Sequence, residues 1–432
     1  MLILTILACI ILLVLLITVG KFHAFLAFLV TSIIAGILLG IPFDKVIGSV
    51  QKGIGDTLGS LTIIICLGAM LGKLVAESGA AKKITEVLMQ KFGTRYISWA
   101  LMITGFIVGI PLFYNVGFVL MVPLIFSVVY QYRLPAVYVG LPMLAALSVT
   151  HGFLPPHPSP AALVAQFNAS MGLTLLYGIA LAIPTIIIAG PLFASTLRSI
   201  DAKPLDIFKP VENNLILPGT FNSFITSLLP VMLLIISTIL TFLYPTETAL
   251  RFAGDPSIVM ILCVLVAAYS LGIRQGMSMM QVMKIFGDAV KDVAMILLIV
   301  AGAGALKQVF TDSGVSAMIG TALDDLEMNP LILGWLIAAV IRVCVGSATV
   351  AGLTTAGIIA PLVLRGNVDP NLMVLSIGAG SLMFSHVNDP GFWMFKEYFN
   401  LSIRDTIRSW SIMETIVAVM GLMGVMILHY ML

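Results

Sequence analysis

Apolar stretches alternate with short polar ones along almost the whole chain. Hydropathy predicts spans near residues 3–20, 22–40, 57–76, 97–130, 137–168, 172–197, 223–244, 257–272, 291–311, 332–363, 371–395 and 411–431. Runs such as MLILTILACIILLVLLITVG reach the ~20 apolar residues needed to cross a bilayer. Two windows, 97–130 and 332–363, are too long for one crossing and carry small or polar residues in the middle: GIPLFYNVGFVL (109–120) and RVCVGSATVAGL (342–353). Short helices meeting at such a break predict a re-entrant hairpin, because non-helical backbone at that depth needs protein or an aqueous cavity around it. Two more windows are interrupted by THGFLPPHPSP (150–160) and SHVNDPGFW (385–393). Proline removes a backbone donor and clashes with the preceding turn, so these predict broken helices. The expected fold is an all-α polytopic membrane protein with about ten full spans plus two re-entrant hairpins.

Composition agrees. Of 432 residues, 60% are hydrophobic and 10% charged, against roughly 25% charged in a soluble domain. The first apolar run has no basic residues before it and no small-residue cleavage site after it, so it is expected to be a retained span. Cys9, Cys66, Cys263 and Cys344 lie in apolar stretches without CxxC spacing. They read as buried free thiols, with no metal or redox site expected. The net charge of +2 comes with no basic arm, so no nucleic-acid partner is expected. No HExxH motif or pair of catalytic aspartates points to an intramembrane enzyme.

Charge placement sets an orientation. Lys73, Lys82, Lys83, Lys91, Arg95 and Arg133 flank the first hairpin, against Glu77 and Glu86. Asp312, Asp324, Asp325, Glu327 and Asp369 flank the second, against Lys307 and Arg365. By the positive-inside rule the first hairpin opens from the cytoplasm, the second from outside, and both termini face outward. Opposite entry predicts an inverted repeat. A shift of 235 residues pairs LVAESGAAKKI with VFTDSGVSAMI, Ser78-Gly79 with Ser313-Gly314, Gly117 with Gly352, His151 with His386 and Pro155 with Pro390, without a gap. The halves are then 1–197 and 223–432, joined by a cytoplasmic linker at 198–222. Two inverted halves in one chain favour a carrier over a channel built from repeated filter segments.

Matching breaks in two halves point to a midplane binding site, where half-helix ends offer free N–H groups to an anion. The candidate residues are Tyr114 and Asn115 at the first hairpin tip, and Ser347 and Thr349 at the second. The broken helices add Thr150, His151 and His157, then Ser385, His386, Asn388 and Asp389. Hydroxyls, amides and imidazoles around freed N–H groups suit a small hydroxylated carboxylate. Plainer roles exist for each. The histidines can bond freed carbonyls, Asn115 can cap a helix, and Ser347 and Thr349 can pack as small residues. Asp389 is the one acid read as lying deep in the membrane, where an ionisable group is a functional candidate; it can equally cap the helix beginning at Pro390. Arg342 is its nearest candidate partner, or it snorkels to a face. If a proton is coupled, His151, His386 and Asp389 all qualify as its carrier. The stretch KEYFNLSIRDTIRSW (396–410) reads as interfacial, with no chemistry assigned.

VTHGFLPPHPSPAA (149–162), GSATVAG (346–352) and FSHVNDPGFWMFKEYFNL (384–401), with LGAMLGKLVAESGAA and LKQVFTDSGV, strongly resemble the gluconate permease family. The resemblance runs nearly end to end. It implies a bacterial inner-membrane proton symporter for gluconate or a related sugar acid, with no cofactor beyond the coupling ion. It also implies a homodimer whose transport domain moves against a scaffold, in an elevator-type cycle. Many relatives carry an acid where this chain has Asn115. That departure keeps a sodium-coupled carboxylate symporter open as an alternative. A D-serine-type branch departs from SHVNDPGFW, which is intact here.

Overall fold

The structure is a computed structural model describing residues 2–112, 114–200, 202, 217–244, 246–314, 328–364, 366, 368–387 and 389–432, and every regular element among them is helical. The helices of the first half are α1 (Leu2–Thr18), α2 (Ala24–Leu38), α3 (Phe43–Glu77), α4 (Ala80–Phe92), α5 (Ile97–Gly109), α6 (Tyr114–Tyr132), α7 (Ala136–Phe153), α8 (Pro158–Phe167) and α9 (Met171–Ser195). Those of the second half are α10 (Thr220–Leu243), α11 (Thr248–Ala253), α12 (Pro256–Gln275), α13 (Met279–Asp312), α14 (Pro330–Val345), α15 (Ala348–Leu364), α16 (Pro370–Gly380), α17 (Pro390–Tyr398) and α18 (Ile403–Met431). Among the described residues, seven helices are long and apolar enough to cross a membrane, counting α7 with α8 as one.

Helix ends follow local chemistry. Asp255, Asn329 and Asp369 each cap a helix that opens with proline, accepting the N–H groups that have no partner inside the helix. α3 and α13 finish alike. Ser78 and Ser313 are their last cap residues, and the following Gly79 and Gly314 take positive φ angles of 80° and 73°, a conformation glycine reaches without strain.

Some expected bounds shift. α3 and α13 begin at Phe43 and Met279, well before the windows at 57 and 291. Asp44, Lys45, Gln51, Lys52 and Asp56 lower the hydropathy of α3 without breaking its helical period. A capping box of Ser278 and Gln281 starts α13 early. The last span begins at Ile403, not 411, because the chain continues through a one-turn π bulge at Ile407–Ser411. Most of the expected linker, and Asp324, Asp325 and Glu327, lie outside the described residues.

The two long helices α3 and α13 pack side by side. A Cβ on Gly53 would lie 2.3 Å from the Gly304 carbonyl oxygen, so only glycine permits this backbone approach. Lys73 and Asp292 tie the pair with a 2.7 Å ion pair. At the centre stand α7 and α16. Every residue of α7 except His151 is buried, as is every residue of α16 except Pro370. α5 and α6 pack on α7, while α14 and α15 pack on α16. Asn371, at the start of α16, accepts from the Ser170 N–H (2.9 Å) and the Thr174 hydroxyl (3.0 Å), joining the two halves. α10 turns Phe221, Ile236, Ile239 and Phe242 outward, a face that needs lipid.

Candidate functional site

Four interruptions meet around the central pair. α5 and α6 are parted at 110–113, α7 and α8 at 154–157, α14 and α15 at 346–347, and α16 and α17 at 381–389. The first broken helix loses its ladder at Leu154-Pro155-Pro156, where the Pro155–Pro156 bond is cis. His157, 3% exposed, bonds the Gly109 carbonyl through Nε2 at 2.9 Å. It thereby satisfies a carbonyl at the end of α5 and locks the first hairpin to the break. Its ring meets His151 at 5.5 Å, and His151 meets Tyr114 at 5.5 Å.

The second break is built on charge. Arg342, 4% exposed on α14, donates from Nη2 to Asp389 Oδ2 at 2.5 Å. The Ser385 hydroxyl donates to the same oxygen, and Trp410 Nε1 donates to Ser385 Oγ at 2.8 Å. Asp389 Oδ1 accepts from the Gly391 N–H at 3.0 Å, so it also caps α17. Both roles expected of Asp389, cap and charge partner, are thus present together. Arg342 is buried, which corrects the snorkelling alternative.

The two breaks share one cluster. Trp410 lies 6.3 Å from the Tyr114 ring, centroid to centroid. A Cβ on Gly391 would stand 3.3 Å from both Tyr114 Oη and Asp389 Oδ2, so the bare glycine is what separates phenol from carboxylate. Trp410 belongs to the stretch to which no chemistry was assigned; here it braces the second break.

A second deep acid was missed. Glu414, on α18, is 2% exposed and accepts from the Ser148 hydroxyl at 2.7 Å. It lies within electrostatic reach of Arg342 and Asp389. The expectation that Asp389 alone is a deep acid is therefore corrected. METIVAVMGLMGV did carry the signal, an acid at the second position of an apolar run, but it sits beside a charged flank that hid it.

Several buried polar atoms in this cluster have no hydrogen-bond partner among the described residues: Tyr114 Oη, His151 Nδ1, Arg342 Nε and Nη1, and Glu414 Oε2. Buried polar groups are ordinarily paired, and leaving one unpaired costs about 1–3 kcal/mol, more for a charge. Such a set is what a polar ligand would satisfy.

Other expected site residues stand apart. The Thr150 hydroxyl bonds the Leu147 carbonyl of its own helix (2.9 Å) and packs against Gly109. His386 bonds the Val343 carbonyl through Nε2 (2.9 Å). Ser347 accepts from the Val350 N–H (3.3 Å) and caps α15, with Thr349 half-buried in the same turn. Gly352, one turn on, lies against Ser159 of α8. The side chain of Asn115 and all of Asn388 lie outside the described residues.

Comparison with known proteins adds the following. A family model described as GntP family permease matches residues 1–431. The chain is 47% identical over 433 residues to a high-affinity gluconate transporter of Escherichia coli (strain K12), covering 97% of each. It is 44% identical over 418 residues to the L-idonate transporter of the same strain's Gnt-II system, covering 95% of each. With a gluconate permease of Bacillus subtilis (strain 168) it shares 42% over 428 residues, covering 94% of this chain and 95% of that one. Among solved structures, the YdaH transporter of Alcanivorax borkumensis aligns with a TM-score of 0.62 at 15% identity, covering 90% of this chain and 88% of that one. MtrF of Neisseria gonorrhoeae aligns at 0.63 and 15%, covering 89% and 84%. At that identity the likeness is one of fold.

Proposed function

The chain belongs to the GntP family of permeases, a family of transporters and not of enzymes, and from this we propose that it carries gluconate or a related sugar acid into bacteria by proton symport across the inner membrane. The observation carrying the substrate class is the near-full-length identity to transporters of gluconate and L-idonate, both sugar acids. The site is in keeping with it. Arg342 offers an unpartnered Nη1 donor to a carboxylate, and Tyr114, His151 and the hydroxyl-bearing residues around them suit a polyol chain.

Tyr114, His151, His157, Ser385 and Asp389 form the centre of the proposed substrate site, and Asn115, Thr150, Ser347, Thr349, His386 and Asn388 are proposed as further substrate-binding residues. The two halves, 1–197 and 223–432, act as inverted repeats with two hairpins and about ten spans. Two features support that repeat. The bounds of α3 and α13 correspond within one residue at a 235-residue shift, and both helices end on the same Ser-Gly turn. Packing recurs as well: α2 lies on α13 as α12 lies on α3, and α5 on α7 as α14 on α16. Transport by two such halves proceeds by an elevator-type movement within a homodimer, with both termini outside.

The coupling ion is a proton, taken by a buried titratable group of the cluster. Uptake of labelled gluconate into proteoliposomes under an imposed pH gradient tests this, with and without sodium. Accumulation driven by the pH gradient alone is expected. Accumulation only with sodium would replace the proton by sodium, and no uptake under either condition would remove gluconate as the substrate.

A further inference from the structure

We propose that Glu414 is the group that takes the coupling proton, and that Arg342 is the cation it shares with the substrate's carboxylate. The inference rests on the proton-coupled sugar-acid function above. Three carboxylates, those of Asp389, Glu414 and the substrate, share too little positive charge here. Arg342 is the one arginine or lysine facing the cluster among the described residues, and Asp389 already holds its Nη2. Asp389 is further bound by the Ser385 hydroxyl and the Gly391 N–H, so its charge is fully employed in the unloaded site. Glu414 has a single hydroxyl on Oε1 and nothing on Oε2.

The groups facing Glu414 are few. α14 supplies Arg342, the second break Asp389, α6 Tyr114, and α7 Ser148, with His151 beside Tyr114. α16 has no titratable residue, and Tyr177 of α9 lies by Asp369 instead. With Arg342 and Asp389 cancelling, the net charge of the cluster is decided by Glu414. Ionised, it repels an entering anion, and at this depth little water screens that repulsion. Protonated, it leaves the cluster neutral, and the unpartnered Nη1 of Arg342 can donate to an entering carboxylate. A proton from the outer aqueous phase forms the O–H bond on Glu414 as the sugar acid enters. On the inner side that bond breaks, the proton leaves with the substrate, and the carboxylate is restored. One anion and one proton move together, so the cycle carries no net charge.

The test uses the full-length protein. In detergent, addition of gluconate to the wild type should take up about one proton per gluconate bound, read with a pH-indicator dye. In proteoliposomes its accumulation should follow the pH gradient and ignore an imposed membrane potential. E414Q, which keeps the shape of a protonated carboxyl, should still bind gluconate and exchange it in counterflow. It should take up no proton and accumulate nothing. E414Q that still takes up a proton, or still accumulates gluconate while the wild type couples, overturns this inference alone. A wild type that accumulates gluconate without proton uptake overturns the coupling as well. Should E414Q fail to bind, S148A decides: loss of the hydroxyl on Oε1 should move the pH midpoint of uptake, and an unmoved midpoint overturns the proposal.

Discussion

The two broken helices are held open by different means. The first break, 154–157, is short and proline-rich, and His157 ties it to the Gly109 carbonyl. The second, 381–389, is longer and is held by Arg342, Asp389, Ser385 and Trp410. One break is therefore fixed by shape and the other by charge. A neutral scaffold does not change with ion or substrate occupancy, whereas a charged one must. In the proposed site, the responsive half then lies at the second break and the passive half at the first.

The largest effect should come from stranding a charge. Arg342→Met leaves Asp389, 14% exposed, without its cation, and breaking one partner of a buried pair costs about 3–5 kcal/mol. We expect loss of uptake and a marked fall in thermal stability in detergent. The double variant Arg342→Met/Asp389→Asn should recover most of that stability and none of the uptake. Recovery of both would show that charge does not hold the second break.

His157→Ala should cost less, about 1–3 kcal/mol, for the carbonyl left without its donor. Its melting temperature should fall while the pH profile of uptake keeps its shape; a displaced profile would make the first break responsive too. Gly391→Ala comes next. The added methyl group meets Tyr114 Oη and Asp389 Oδ2 at 3.3 Å, and the KM for gluconate should rise several-fold with stability unchanged. Smallest is Ser347→Ala, a lost cap worth about 1 kcal/mol. If Ser347 only caps α15, KM stays put; a tenfold rise would bring the second hairpin tip into contact with substrate.

The fold was largely legible because its interruptions are written in glycine, proline and polar residues within an apolar background. GIPLFYN, FLPPHP, VGSA and SHVNDP all coincide with gaps between helices. Amphipathic extensions were less legible, since hydropathy averages away the polar face of Phe43–Asp56. The site was legible residue by residue but not in its pairing. Sequence identifies Arg342 and Asp389 as candidates; only packing decides that the arginine is buried and shared. Glu414 stayed hidden because depth, not residue type, makes an acid unusual, and its depth is set by the π bulge that carries α18 past Trp410.

The Arg342–Asp389 pair joins residues made at different moments of synthesis. The ribosome delivers α14 with its arginine before the aspartate exists. At 16 residues α14 is short of a full crossing, and an arginine at mid-membrane costs about 2.5–3.5 kcal/mol on insertion. The segment from α14 to α15 carries that cost without a counter-charge until Asp389 is made. It is expected to wait at the surface or inside the insertion machinery until the second broken helix arrives with its counter-charge. Biogenesis of this half is then post-insertional folding, and a chain truncated before Asp389 should leave that segment open to protease.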